Sequence, residues 1–190
     1  MIKLPSFIKP FPTQKNDPPM CKNFGVVVQD GFNLMVRYYP IPTQYANPLD
    51  ENKTVDLIHQ QLEEDQGLIE VEKGQTKEGL QYISAITKTF MGPEHGVQYF
   101  LRINIFRENV KEWAYEIDAF FGEEGITGQR DTLVMALLKM PKDWNEDPYD
   151  KNFNKGITMN KSENKKYDSQ FPNHPLSQAR KFLEFIKENN

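Results

Sequence analysis

One cysteine and three histidines are all this 190-residue chain offers of the residues that build disulfides and most metal sites. A lone Cys21 excludes an internal disulfide framework and any cysteine-rich zinc site. Long apolar runs are missing too, and nothing approaches the roughly 20 residues of a membrane helix. The first ten residues are broken by Lys3, Pro5, Lys9 and Pro10 before a signal-peptide apolar region can form. If Met1 is the natural start, a cytoplasmic protein is expected. Excess positive charge is also lacking: 23 Lys and Arg against 27 Asp and Glu give a net charge of -4. Phosphate-backbone binding needs clustered cations, and Lys3, Lys9, Lys15 and Lys22 are spread too thinly among prolines to supply them. Neither nucleic acid nor a membrane is therefore an expected partner. Nor is there a Gly-x-Ser-x-Gly elbow, a Gly-x-Gly-x-x-Gly loop or a Gly-Lys-Ser/Thr ending. Gly122, Gly125 and Gly128 read as a turn, since Glu123 and Glu124 would repel phosphate. No cofactor, metal or catalytic residue is expected.

What is present is a globular composition, 38% hydrophobic and 26% charged, at a length that suits one domain. Eight of the thirteen prolines fall in the first 48 residues. Residues 1–22 accordingly read as an extended arm whose Ile2, Leu4, Phe7, Ile8 and Phe11 can dock on the domain formed by residues 23–190. Two β-rich runs, 24–29 and 32–39, flank Asp30-Gly31 and predict a hairpin. Val55, Ile58 and Leu62 recur at helical spacing, with Asn52 or Thr54 as cap and Gly67 as stop. Strands follow over 68–72, 80–90, 97–107 and 112–121, with a turn around Gly74. A helix with Leu133, Val134, Leu137 and Leu138 on one side comes next, capped by Thr127 or Asp131 and closed by Pro141. Residues 141–173 read as a long polar surface loop. Pro175 opens a last helix through Ala179, Phe182, Leu183 and Ile186.

The last two strands allow a register argument. Pairing Ile105 with Trp113, Ile103 with Tyr115 and Leu101 with Ile117 joins both apolar faces. A slip of one residue would expose half the core. That register sets Arg102 opposite Glu116.

The element order, together with Thr54-Val55-Asp56-Leu57-Ile58, Gly79-Leu80-Gln81-Tyr82-Ile83, Trp113-Ala114-Tyr115-Glu116-Ile117 and Gly128-Gln129-Arg130-Asp131-Thr132-Leu133, resembles the PsbP-like α/β/α sandwich over about residues 24–140. The proline arm and the 141–173 stretch depart from that pattern. The resemblance implies an α+β fold, an antiparallel sheet with helices packed on its faces. It also implies a non-enzymatic binding or assembly role, and it carries no catalytic residues onto this chain.

Candidate sites are few. His59, with Asp56 and Glu63 nearby in sequence, reads as an exposed ion pair. His95 reads as a polar loop residue. Asn173 and His174, held between Pro172 and Pro175, read as a stiff helix start or a rigid surface site. Asp143, Asn145 and Asp147 match the first positions of a calcium loop, but Pro148 and Asn154 break the pattern. Phe100, Phe106 and Phe120 share a strand face with Arg102, Glu116 and Asp118. If a helix covers that face they are core, which is the expectation for such a sandwich. If the face is open it suits a partner protein or ligand. The expected function is non-enzymatic binding of another protein, in an accessory, chaperone-like or toxin-neutralising role. A hydrolase using His59 or His174 with a carboxylate, and a small-ligand protein, are the alternatives.

Overall fold

The computed structural model describes residues 2–26, 32–107, 112–123 and 127–190. Among them, seven strands form one antiparallel sheet in the order β1-β2-β3-β7-β6-β5-β4. They are β1 (Lys9–Phe11), β2 (Lys22–Val26), β3 (Phe32–Pro42), β4 (Gln66–Gln75), β5 (Gln81–Phe90), β6 (Val97–Phe106) and β7 (Trp113–Glu123). Three α-helices accompany them: α1 (Glu51–Gln61), α2 (Gln129–Leu137) and α3 (Pro175–Asn189). The α+β class is as expected. β2 and β3 pair as a hairpin, while Asp30-Gly31 lies outside the described residues. The arm docks: Phe11 pairs with Asn23 at the sheet edge, and Ile2 and Ile8 are buried. The side chain of Asn190 accepts from Lys3 N and donates to Lys3 O, latching the two ends of the chain together.

Strand alternation sorts the side chains into two layers. On one face Leu34, Val36, Ile86, Tyr99, Leu101, Ile103 and Phe121 meet α3 through Leu176, Ala179, Phe182, Leu183 and Ile186. Each large apolar side chain buried there contributes about 1.5–3 kcal/mol. On the other face Leu68 packs with Val55 and Leu62 of α1. Pro175 supplies the first turn of α3, and His174 Nδ1 caps it by accepting from Leu176 N.

Several expectations need correction. The β6–β7 pairing is Ile105 with Tyr115, Ile103 with Ile117 and Leu101 with Ala119. This is a shift of two residues from the expected register, so Arg102 faces Asp118. A period-two apolar pattern cannot see such a shift, because both registers put the same side chains inside. Asp50, whose carboxylate accepts from Lys53 N, caps α1, and the helix ends at Leu62. Gly67 and Gly74 both lie within β4. Gly128, not Thr127 or Asp131, stands at the cap of α2.

The largest departure is residues 141–173. They carry two 3₁₀ turns, Lys161–Glu163 and Lys165–Tyr167, and bury Asp147, Asn160, Ser162, Glu163 and Tyr167. Part of this segment closes the edge of β4. Tyr149 Oη accepts from Val71 N and Ile157 N donates to Gln66 O, while Glu51 of α1 accepts from Lys73 N. An open strand edge is a template for foreign strands, and these contacts remove the template. The approach is close enough to need glycine on both sides. A Cβ on Gly67 would lie 1.8 Å from Ile157 O, and one on Gly156, which has φ +73°, would lie 2.1 Å from Gln66 O.

Candidate functional surfaces

The expected site residues divide into two places. Phe100, Arg102, Glu116, Asp118 and Phe120 come together on the α1 face of the sheet. Arg102 Nε donates to Asp118 Oδ1 at 2.8 Å, its Nη2 donates to Asp118 Oδ2 at 3.2 Å, and Nη2 lies 3.4 Å from Glu116 Oε1. Tyr39 Oη donates to both Glu116 and Asp118, and Asn104 Nδ2 donates to Glu116 Oε2 at 2.8 Å. Burial, then the two carboxylates, push the Tyr39 hydroxyl well above its ordinary range. Burial opposes the charge of Arg102, but its bonds to Asp118 outweigh that and hold the guanidinium above its usual value. Among the described residues Arg102, Asn104, Glu116, Asp118 and Tyr39 are all hydrogen-bonded to one another, so the cluster holds geometry, whereas the Nε of the neighbouring Arg37 is buried without a partner.

The aromatics beside it are half-buried. Phe100 and Phe120 lie 4.8 Å apart, with Arg102 5.1 Å from the Phe100 ring centre and Arg37 5.8 Å from that of Phe120. On this face α1 packs against β4. Between its Ile58 and Leu62 and the Phe100–Phe120 pair runs an open cleft of about 330 Å³. The expectation of a covered face therefore holds at Asn104, Glu116 and Asp118, which are buried, and fails at the half-buried Phe100 and Phe120. Phe106 sits at the end of β6, opposite Ala114 and outside the cleft. Asn173 is exposed, and His174 lies on the opposite, α3 side of the sheet against Tyr99.

His95 is exposed, as expected of a polar loop residue, but His59 and His174 are not solvated. His59 stacks on Phe153 with ring centres 3.9 Å apart, and its Nε2 lies 3.1 Å from Asp147 Oδ2. The partner comes from the 141–173 segment, not from Asp56 or Glu63. Asp147 also accepts from Tyr149 N and Asp150 N, Asp143 pairs with Lys161, and Asn145 bridges to Asn160. The calcium-like triple thus diverges. Among the described residues no group of three His, Cys, Asp or Glu converges on a metal position. His174 Nε2 lies 3.4 Å from Glu123 Oε1. Neither His59 nor His174 lines the cleft beside α1, and neither lines any of the other three clefts of the surface described below.

A buried ionic lattice escaped the sequence reading. Lys88 Nζ donates to Glu163 Oε2 at 2.7 Å, and Tyr99 Oη donates to Oε1 at 2.9 Å. Arg130, with its side chain fully buried, donates to Ser162 O, Ser177 Oγ, Asn164 O and Asp168. Arg180 bridges Asp168 and Glu70. Asp131 accepts from Ser162 Oγ and Asn160, and burial pushes its carboxyl up. These bonds fasten the 160–168 turns to α2, α3 and the sheet.

The lattice has a consequence for α2. Because Arg130 and Asp131 are drawn inward, only Val134 of its apolar residues is buried. Leu133 is 52% exposed, Leu137 64% and Met140 74%. Leu133, Ala136 and Leu137 form an outward apolar stripe at i, i+3 and i+4, and Met140 stands exposed just beyond the helix end. Beside it a cleft of about 610 Å³ continues the apolar surface through Leu138, Pro141 and Trp144. Lys139 and Lys142, next along the chain, stand exposed, and the charged lining of the cleft is Glu146, Asp147, Lys151, Lys161 and Lys166. Two further clefts occupy the arm side: one of about 540 Å³ at the far end of β3 and β7, and one of about 210 Å³ beneath Phe11.

No protein-family model matches this chain, and no curated protein matches it. The Leu133 and Leu137 positions did stand out in the sequence, but as core. What inverts them is the Arg130-Asp131 pair ahead of them, whose partners lie some thirty or more residues away in sequence.

Proposed function

We propose that this chain is a non-enzymatic binding protein, accessory or chaperone-like or neutralising in role, that acts by docking another protein on α2. The observation that carries the reading is the inverted helix. A surface helix turns its charges outward and its leucines inward, whereas α2 does the reverse with Arg130, Leu133 and Leu137. Apolar anchors at i, i+3 and i+4, here Leu133, Ala136 and Leu137, are the start of the pattern by which a groove or helix face receives an amphipathic helix, and Met140 adds apolar surface just past the helix end. The charges next to the stripe define the chemistry of the occupant. Lys139 and Lys142 are cations, and Asp131, the one acid of the helix, is occupied by Ser162 and Asn160. A partner helix with an apolar face bordered by acidic residues complements this surface; a second copy of the chain offers no acid from its own stripe.

The PsbP-like resemblance, a likeness of element order, implies the same kind of role. We place it in the cytoplasm; the free buried thiol of Cys21 fits a reducing compartment, and no helix among the described residues is long and apolar enough to cross a membrane. The Phe100–Phe120 cleft, with arginines stacked on both rings, is a second surface of the composition favoured at protein interfaces.

The test compares wild type with Leu133→Glu and Leu137→Glu in purification from the source cell. A stoichiometric protein partner held by wild type and lost from both variants is expected. A monomer with no such partner, or a partner held equally by both variants, overturns the reading.

A further inference from the structure

The arm and the sheet enclose a second kind of site. We propose that the cleft between residues 20–22 and the far end of β3 and β7 binds a small planar aromatic anion, an aryl carboxylate in the simplest case. Its walls are aromatic. Tyr38 and Tyr115 stack with ring centres 5.3 Å apart, and Trp113 stands 45% exposed beside them. Pro40 and the thioether of Met20 complete the apolar lining. Met20 is 72% exposed and sits at φ 59°, a backbone conformation uncommon for a residue with a side chain.

The remaining lining residues are Lys22 and Arg107. The Arg107 guanidinium carbon lies over the Tyr115 ring, 5.0 Å from its centre, within cation–π range. Neither cation makes a salt bridge to a described residue, and no lining residue is acidic. Burial pushes the Tyr38 hydroxyl up to about 12, so the phenol stays neutral and adds no negative charge at working pH. In a chain of net charge -4, this cleft therefore pairs an apolar floor with two cations that have no acidic partner among the described residues. Its volume of about 540 Å³ falls within the roughly 300–1,000 Å³ of small-molecule sites. The aromatic walls select a flat ring, and the cations select a negative charge on its edge. The site shares no residue with α2, so its test and the test of the docking surface are separable.

Titration calorimetry with naphthalene-2-carboxylate, its neutral carboxamide and naphthylmethylammonium tests the proposal on the full chain. Quenching of Trp113 fluorescence in a Trp144→Phe background reports the position of binding. The carboxylate is expected to bind one to one and to quench Trp113. The carboxamide is expected at least tenfold weaker, and the ammonium without saturation. Arg107→Gln and Lys22→Gln, both at surface positions and checked for fold by circular dichroism, should each weaken the carboxylate at least fivefold. Absence of saturable carboxylate binding up to millimolar concentration overturns the proposal. So does carboxylate affinity equal to that of the carboxamide, or unchanged in both variants.

Discussion

Replacing Lys88 by Met asks how firmly the 160–168 turns are fixed. The ammonium is 5% exposed and its partner Glu163 is 1% exposed, at 2.7 Å. Without it the carboxylate keeps only neutral donors, Tyr99 Oη at 2.9 Å and Asn160 N at 2.7 Å. Removing one member of a buried pair leaves an uncompensated charge and costs about 3–5 kcal/mol. Methionine fills most of the lysine volume, so little of that loss comes from a cavity. At about 2–4 °C per kcal/mol for a domain of this length, the melting temperature should fall by roughly 6–20 °C. Urea unfolding followed by circular dichroism measures the same difference at 25 °C. The double variant Lys88→Met with Glu163→Gln removes the stranded charge and should recover at least about 1 kcal/mol of the loss. Lys165→Met breaks an exposed pair with Glu184 and should cost no more than about 1 kcal/mol. A Lys88→Met loss below about 1 kcal/mol, or a double variant worse than the single, would refute the reasoning.

Three further outcomes follow from the same contacts. Gly67→Ala drives a Cβ into Ile157 O and should destabilise by about 1–3 kcal/mol or more, with faster hydrogen exchange along β4. Tyr149→Phe takes away the hydroxyl bonded to Val71 N; it should cost about 0.5–1.5 kcal/mol and raise self-association, read by light scattering, because the β4 edge reopens. Burial holds Tyr38 up at about 12 and Tyr39, Tyr82, Tyr99 and Tyr149 above their ordinary value. The folded chain then keeps protons that the unfolded chain loses above about pH 10. Stability should be complete below pH 10 and fall as pH rises beyond it, by up to about 1.4 kcal/mol per pH unit for the buried Tyr99. A melting temperature unchanged between pH 9 and pH 11 would contradict that.

Where the sequence spoke clearly, a local pattern had one solution. The β2–β3 pairing, the strand alternation of β6 and β7 and the Pro175 start of α3 follow from neighbours in the chain. Where it misled, the deciding partner was remote. His59 looked solvated because Asp147 and Phe153 arrive from residues far along the chain. Leu133 and Leu137 looked like core because nothing nearby announces that Arg130 will be buried by Ser162, Asn164 and Asp168. The polar composition of residues 141–173 suggested solvent, yet Glu163, Asn164 and Asp168 there supply acceptors that the buried cations require. The Arg102–Asp118–Glu116 face was legible up to the two-residue register. The cleft beside Phe100 and Phe120 was not, because its other wall is Ile58 and Leu62, some forty residues earlier in the chain.

The account rests most heavily on what meets α2. A photoreactive amino acid placed at Leu137, 64% exposed and turned away from the core, reports that contact in the source cell without disturbing the fold. The account predicts one dominant cross-linked protein whose joined peptide is an apolar helix with acidic borders, absent when the same group stands at the exposed Lys181. No cross-link at position 137, or the same products from position 181, would contradict it.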